Sequence, residues 1–281
     1  MTTIETDLEQ VVASQLPSGA FPSTVHFADQ HQADENGFVT ALVLNELSRF
    51  DDDALVRQAI ERGLEFLVRC EVPGRAGHFC FYPFDAHPTW MTTRLRPDAD
   101  DTSLIAVLLV RYGLRPNAFL AEIVNTVLRP FRMLYLSERS KPWYRSPVYF
   151  TWLDERPWPN DIDCCVNVNV LTLIHQSGTV EAGRPEIVTM IHRALDWAGE
   201  SIERATMLSP WYPHPIELYY AVNRAVRSGV EELQSAAAVM GDLAWVKGYG
   251  RAGIAETPIC GSADRRFVWR SEVLQLARQL P

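Results

Sequence analysis

Asp98-Ala99-Asp100-Asp101-Thr102-Ser103-Leu104-Ile105-Ala106-Val107-Leu108-Leu109-Val110-Arg111-Tyr112-Gly113 is the stretch on which the reading of this chain turns. It opens on acids, runs apolar from Leu104 to Val110, and stops at a glycine. An Asp ahead of an apolar run marks a helix start, and a Gly after it marks the stop. So few charges inside the run predict a helix buried on most of its faces. The same grammar returns in Asn36-Gly37-Phe38-Val39-Thr40-Ala41-Leu42-Val43-Leu44, in 161–178 and in 213–229. The first three of these segments begin 62 and 63 residues apart, the spacing of a repeated supersecondary unit.

Working outward, more highly charged segments lie between the apolar ones. Residues 51–70 place Leu55, Ile60, Leu64 and Leu67 in a helical stripe. Residues 117–136 read as a helix that Pro130 kinks or shortens. Residues 184–205 read as another helix, and 266–280 as a last one. Alternating buried and amphipathic helices imply an inner layer and a water-facing outer layer. The expected fold is all-α: a single domain, 1–281, built as an α/α toroid of about five to six helical hairpins. The Pro- and aromatic-rich stretches 71–97, 139–160 and 206–215 precede inner helices. In a toroid they gather at one end, where loops carry function.

Bulk composition bounds the function. The 26 Lys and Arg against 35 Asp and Glu leave a net charge of −9, with no basic run, which disfavours nucleic acid and anionic membrane surfaces. No apolar stretch approaches the roughly 18 residues of a membrane span. The start, MTTIETDLEQ, lacks the basic and apolar regions of a signal peptide. Five cysteines, two of them adjacent at 164 and 165, do not suggest a disulfide framework, so reduced thiols in the cytoplasm are expected.

The chemistry centres on Asp98, Asp100 and Asp101. One Asp at a helix start is a cap. Three within four residues ahead of a buried helix are more than capping needs. Crowded carboxylates do not all ionise cheaply, so one keeps a proton and becomes a general acid. Fully ionised, the same oxygens suit magnesium. Pro97-Asp98-Ala99-Asp100-Asp101-Thr102-Ser103-Leu104 resembles the DxDD motif of class II terpene cyclases, the group of the squalene–hopene cyclases. The resemblance implies an α/α toroid and an enzyme, a cyclase or isomerase. It implies that Asp100 protonates an alkene or epoxide of a hydrophobic isoprenoid-like substrate, with Asp98 and Asp101 supporting it. The carbocation so formed needs aromatic faces and exclusion of water. Trp90, Tyr149, Trp152, Trp158, Trp211 and Tyr220 are the aromatic lining candidates. The chain departs from the family in having room for one helical domain and no Gln-x-x-x-Gly-x-Trp repeat.

A second acidic start, 160–169, is expected at the same mouth, with Asp161 aligned to Asp98 and Asp163 to Asp100. Asn167 and Asn169, on a buried helix, need partners there or from a ligand. His214, ahead of the last inner helix, is a further substrate-binding candidate. No cofactor is expected. The alternative is a zinc- or magnesium-dependent prenyltransferase-like enzyme, because Asp163, Cys165 and His214 are the residue types of an open zinc site and resemble the ligands of prenyltransferase β subunits. A third reading is a non-catalytic toroid that binds a peptide, glycan or lipid. His26, His31 and His87 fall in polar segments read as loops. Arg94, Arg96, Lys141 and Arg145 read as solvated loop cations. No acyl-transfer elbow, Walker loop or dinucleotide fingerprint is present.

Overall fold

The computed structural model describes residues 3–154, 160–180, 183–249 and 256–281. Along the chain run α1 (Thr3–Ala13), β1 (Pro22–Phe27), β2 (Gln30–Glu35), α2 (Gly37–Leu47), α3 (Ala54–Val68), α4 (Ala99–Arg111) and α5 (Ala118–Glu122). The two-residue strands β3 (Arg132–Met133) and β4 (Val148–Tyr149) pair with each other ahead of α6 (Cys164–Ser177). Then come α7 (Arg184–Ala198), α8 (Ile202–Thr206), α9 (Ile216–Arg227), α10 (Gln234–Asp242) and α11 (Ala244–Lys247). β5 (Cys260–Gly261), β6 (Phe267–Arg270) and α12 (Glu272–Ala277) finish the chain.

The inner helices α2, α4, α6 and α9 neighbour one another in that order, and α12 packs on the far side of α2. Helices α3, α5, α7 and α10 pack behind them, and α1 sits against α12 and α3. The apolar runs explain this layering. In α4, Leu104, Ile105, Ala106, Leu108 and Leu109 are all buried, and in α6 everything from Cys164 to Ile174 is. Each such Leu or Ile contributes roughly 1.5–3 kcal/mol of transfer free energy. In the outer α3, Ile60, Leu64 and Leu67 face inward, while Leu55, a member of the same sequence stripe, faces solvent. The bidentate pair of Arg278 with Glu217 (2.7 and 2.6 Å) ties the end of α12 to α9.

Side-chain caps start three of the inner helices. Asn36 accepts from the Val39 N–H, Asp98 from Asp100 and Asp101, and Asp163 from Val166. The third cap falls two residues later than the expected alignment. Asp163, not Asp161, is the counterpart of Asp98. Asp161 precedes the helix, and its backbone carbonyl accepts from the N–H and hydroxyl of Thr151 (3.0 Å each).

Other expectations are corrected. The segment after Asn117 is α-helical only to Glu122. It widens into a π turn over Ile123–Leu128 and tightens at Arg129–Phe131 before Arg132 turns extended. Pro130, which lacks an N–H, sits where the helix gives out. Gly199 separates α7 from α8 within 184–205. The chain is helix-rich rather than all-α, because a four-stranded antiparallel sheet, ordered β2-β1-β6-β5, joins its two ends. Residues 266–280, expected as one helix, are β6 followed by α12. His26 and His31, expected in loops, face each other across β1 and β2.

Candidate active site

The start of α4 is held from both sides. The Asp98 N–H donates to the Phe79 carbonyl, the Ala99 N–H to Thr151 (2.8 Å), and the Leu153 N–H to Pro97. The Thr102 hydroxyl accepts from the Phe79 N–H. These bonds bring the loops 71–97 and 150–153 to the first turn of the helix. Together with 211–212 and the sheet they enclose a cavity of about 550 Å³.

Asp98, Asp100 and Asp101 line that cavity. Its walls include eight aromatic side chains: Phe38, Phe81, Trp90, Trp152, Trp211, Tyr212, Phe267 and Trp269. Trp152 and Trp211 meet edge to face at 5.0 Å, and Trp90 stacks on Phe267 at 5.7 Å. β6 supplies Phe267 and Trp269 from one face, in register with Phe27 and Val25 of β1. The Trp269 indole is anchored by Asp34, which also accepts from Tyr82 and Asn36. Arg94, Arg96 and Arg266 also line the cavity.

The three carboxyls have distinct surroundings. Asp98 is the cap: its Oδ1 accepts from the N–H groups of Asp100 (2.9 Å) and Asp101 (2.7 Å). Those donors favour its carboxylate, while burial and the charge of Asp100 push its pKa up. Asp101 is 1% exposed, and neither of its oxygens meets an N–H or hydroxyl donor among the described residues. Its neighbour is the Asp98 carboxyl, and only a proton between the two makes that contact attractive. Burial first, then the charge of Asp98, holds the Asp101 pKa well above the usual carboxylate range. Burial and the neighbouring charge thus both favour the neutral form of Asp101.

Asp100 is bound differently. Its Oδ1 accepts from the Asn169 side-chain amide at 2.5 Å, and its Oδ2 accepts from the Tyr212 hydroxyl. Asn169 in turn accepts from Arg224 at 2.8 Å. Burial raises the Asp100 pKa, and the bonds from Tyr212 and Asn169 and the charge of Arg224 work against that rise. Burial favours the neutral acid, and donors to both oxygens stand ready for its conjugate base.

The remaining expected residues separate. Trp90, Trp152 and Trp211 line the cavity. Trp158 lies outside the described residues. Tyr149, Asp161, Asp163, Asn167, His214 and Tyr220 do not line it. Tyr149 is fully buried in the core, where its backbone N–H and carbonyl pair with the Asn167 side chain (2.9 Å each). Asn167 thus holds β4 against α6. Asp163 accepts from Trp211 N–H at 3.2 Å, which sets the loop carrying two wall residues. His214 accepts from the Ile216 N–H and packs on Tyr249, and Tyr220 lies under Arg278. The zinc triad does not assemble. The Cys165 thiol accepts from Ser209, and no cluster of three or more His, Cys, Asp or Glu able to hold a metal occurs among the described residues.

Sequence reading missed Tyr212, Arg224, Phe38, Phe81 and the sheet residues Phe267 and Trp269. Arg224 had a signal: it recurs with Glu217 at helical spacing among Leu218, Ala221, Val222 and Ala225 on the buried face of α9. The sheet residues carried none, since β1 and β6 lie more than two hundred positions apart in the chain.

A solved type II terpene cyclase, an MstE variant from Scytonema in complex with its substrate geranylgeranyl dihydroxybenzoate, is similar over 99% of this chain and 95% of its own, with a TM-score of 0.44 and 13% identity. No protein-family model and no curated protein matches the chain. No helix among the described residues is long and apolar enough to cross a membrane.

Proposed function

We propose that this chain is a single-domain, toroidal, terpene-cyclase-like enzyme in which Asp100 protonates a carbon–carbon double bond of an isoprenoid-like chain. The observation that carries this reading is the pairing of a buried acid with a large aromatic cavity. Asp100 is 8% exposed and lines a cavity that Trp152, Trp211, Phe81 and Trp269 also line, and donors already address both of its oxygens. The Asp100 O–H bond breaks as the alkene π pair takes the proton. The resulting cation is attacked by a neighbouring double bond of the same chain, forming a carbon–carbon bond, and loss of a proton from carbon ends the sequence. Aromatic faces stabilise the cation by roughly 0.5–2 kcal/mol each, and their bulk keeps water from quenching it. Asp98 and Asp101 support the acid. Burial and mutual repulsion disfavour two charges on that pair, which limits the repulsion that Asp100 meets on ionising.

Capping alone accounts for Asp98 but not for Asp100 or Asp101, whose carboxylates receive no backbone N–H. The test is Asp100→Asn, assayed with polyprenyl compounds in deuterated water. Wild type gives a cyclised product carrying deuterium at the protonated carbon. The Asn variant, with its fold intact by circular dichroism, loses turnover by about a thousandfold, within the range of general-acid catalysis. Full activity in that variant excludes Asp100 as the acid.

A further inference from the structure

Arg224 lies in the interior of α9, 7% exposed, and its Nη2 donates to the Asn169 side-chain oxygen at 2.8 Å. A guanidinium only donates hydrogen bonds, whereas an amide both donates and accepts. The Asn169 oxygen must therefore face Arg224, which leaves the Asn169 nitrogen for Asp100 Oδ1 at 2.5 Å. The three side chains come from α9, α6 and α4, three consecutive inner helices. Without the cation, Asn169 is free to turn over and present its oxygen to Asp100. That arrangement binds the neutral acid and holds its proton back.

We propose that Arg224 is a positioning residue for Asp100: by fixing which end of the Asn169 amide faces the carboxyl, it makes Asn169 a donor to the carboxylate rather than an acceptor of the acid proton. This proposal rests on the acid role given to Asp100 above. Arg224 touches no reacting atom: its charge reaches Asp100 through space, and its hydrogen bond orients Asn169. Its cation is itself balanced from the other side by Glu46.

Other groups face Asp100 and bear on its titration. Asp98 and Asp101 stand on its own helix. Asp163 and Cys165 stand at the start of α6, Tyr212 on the loop before α9, and Cys260 on β5. None of these determines the orientation of the Asn169 amide.

The experiment is a titration of the Asp100 carboxyl by carbon-13 NMR of aspartate-labelled protein, with the signal assigned by its loss in Asp100→Asn. Arg224→Met and Arg224→Gln both remove the cation, and Gln covers the case in which Met does not fold. Each is expected to move the Asp100 titration upward by at least about one pH unit, a tenfold change in its acid constant. Asn169→Leu also moves it upward, and Arg224→Met with Asn169→Leu together move it by clearly less than the sum of the two single shifts. Arg224→Lys, which keeps a donor cation, restores most of the wild-type value. An unmoved titration in the Met and Gln variants overturns the proposal. So does full additivity in the double variant, which means that Arg224 acts on Asp100 only through space. The readout needs no turnover, so it stands apart from the reaction: an active Asp100→Asn enzyme sinks the acid reading, while an unmoved titration sinks only the role of Arg224.

Discussion

The starts of α4 and α6 are built alike up to the cap and diverge immediately after it. Asp98 and Asp163 both hold an extended backbone conformation and accept from N–H groups of the first helical turn. Beyond Asp98, the first turn brings Asp100 and Asp101 to a cavity. Beyond Asp163, it brings Cys164 and Cys165, fully buried and away from it. Asp163 spends its second oxygen on Trp211 N–H, whereas Asp98 faces Asp101. The difference shows that an Asp at a helix start is structural by default. What sets the α4 start apart is a pair of carboxyls displaced from capping, Asp100 met by Asn169 and Tyr212 and Asp101 buried beside Asp98.

The strongest way to break the comparison is to exchange the charge at each start. Asp100→Asn is expected to remove turnover, while Asp163→Asn keeps it, because Asp163 does not line the cavity and the Asn amide oxygen still caps the first turn of α6. Equal losses of activity in the two variants, with both folded, would erase the distinction between the starts.

A second contrast lies in stability against pH. Burial, then the charge of Asp100, pushes the Asp163 pKa from 3.8 up to about 7. The unfolded chain releases this proton near pH 4 and the folded chain only near 7, so the unfolded state binds fewer protons between those values. Stability contributed by this group is therefore fully present below about pH 4, falls as pH rises to about 7, and is level above that. The limit is about 4 kcal/mol at 1.36 kcal/mol per unit. Urea unfolding at pH 4 and pH 8 checks it. Asp163→Asn should be close to wild type at pH 4 and more stable at pH 8 by up to about 4 kcal/mol. A parallel pH dependence in the two proteins contradicts the assignment.

Smaller effects sharpen the picture. Asp98→Ala removes a cap with two N–H partners and should cost about 1–2 kcal/mol in urea unfolding. Asp161→Ala should stay within about 0.5 kcal/mol of wild type, because the bonds at that position use its backbone carbonyl. A large loss at Asp161 would restore it as the equivalent of Asp98.

Much of the helical layering was legible. Capping chemistry at Asn36 and Asp98, apolar runs after them and charged segments between gave the inner and outer layers with errors of a few residues. The α6 start was misread because Asp161 and Asp163 are equally good caps by type, and only packing against Thr151 and Trp211 chose between them. The sheet escaped for two reasons. The β1–β2 hairpin turns through Ala28 at a positive φ of 49°, without the Asn-Gly or Asp-Gly that advertises such a turn. The β1–β6 pairing is made between the two ends of the chain and leaves no local pattern.

By itself the amino-acid sequence determined the helices, their caps and the crowding of three carboxyls in one turn, because these depend on neighbours along the chain. It did not assign the carboxyls their roles. Asp98 as cap, Asp101 buried beside it and Asp100 addressed by Asn169 and Tyr212 are products of contacts among α4, α6, the 209–212 loop and α9. A carboxyl's protonation is set by burial and by the donors around it, and those are supplied only when distant segments pack together.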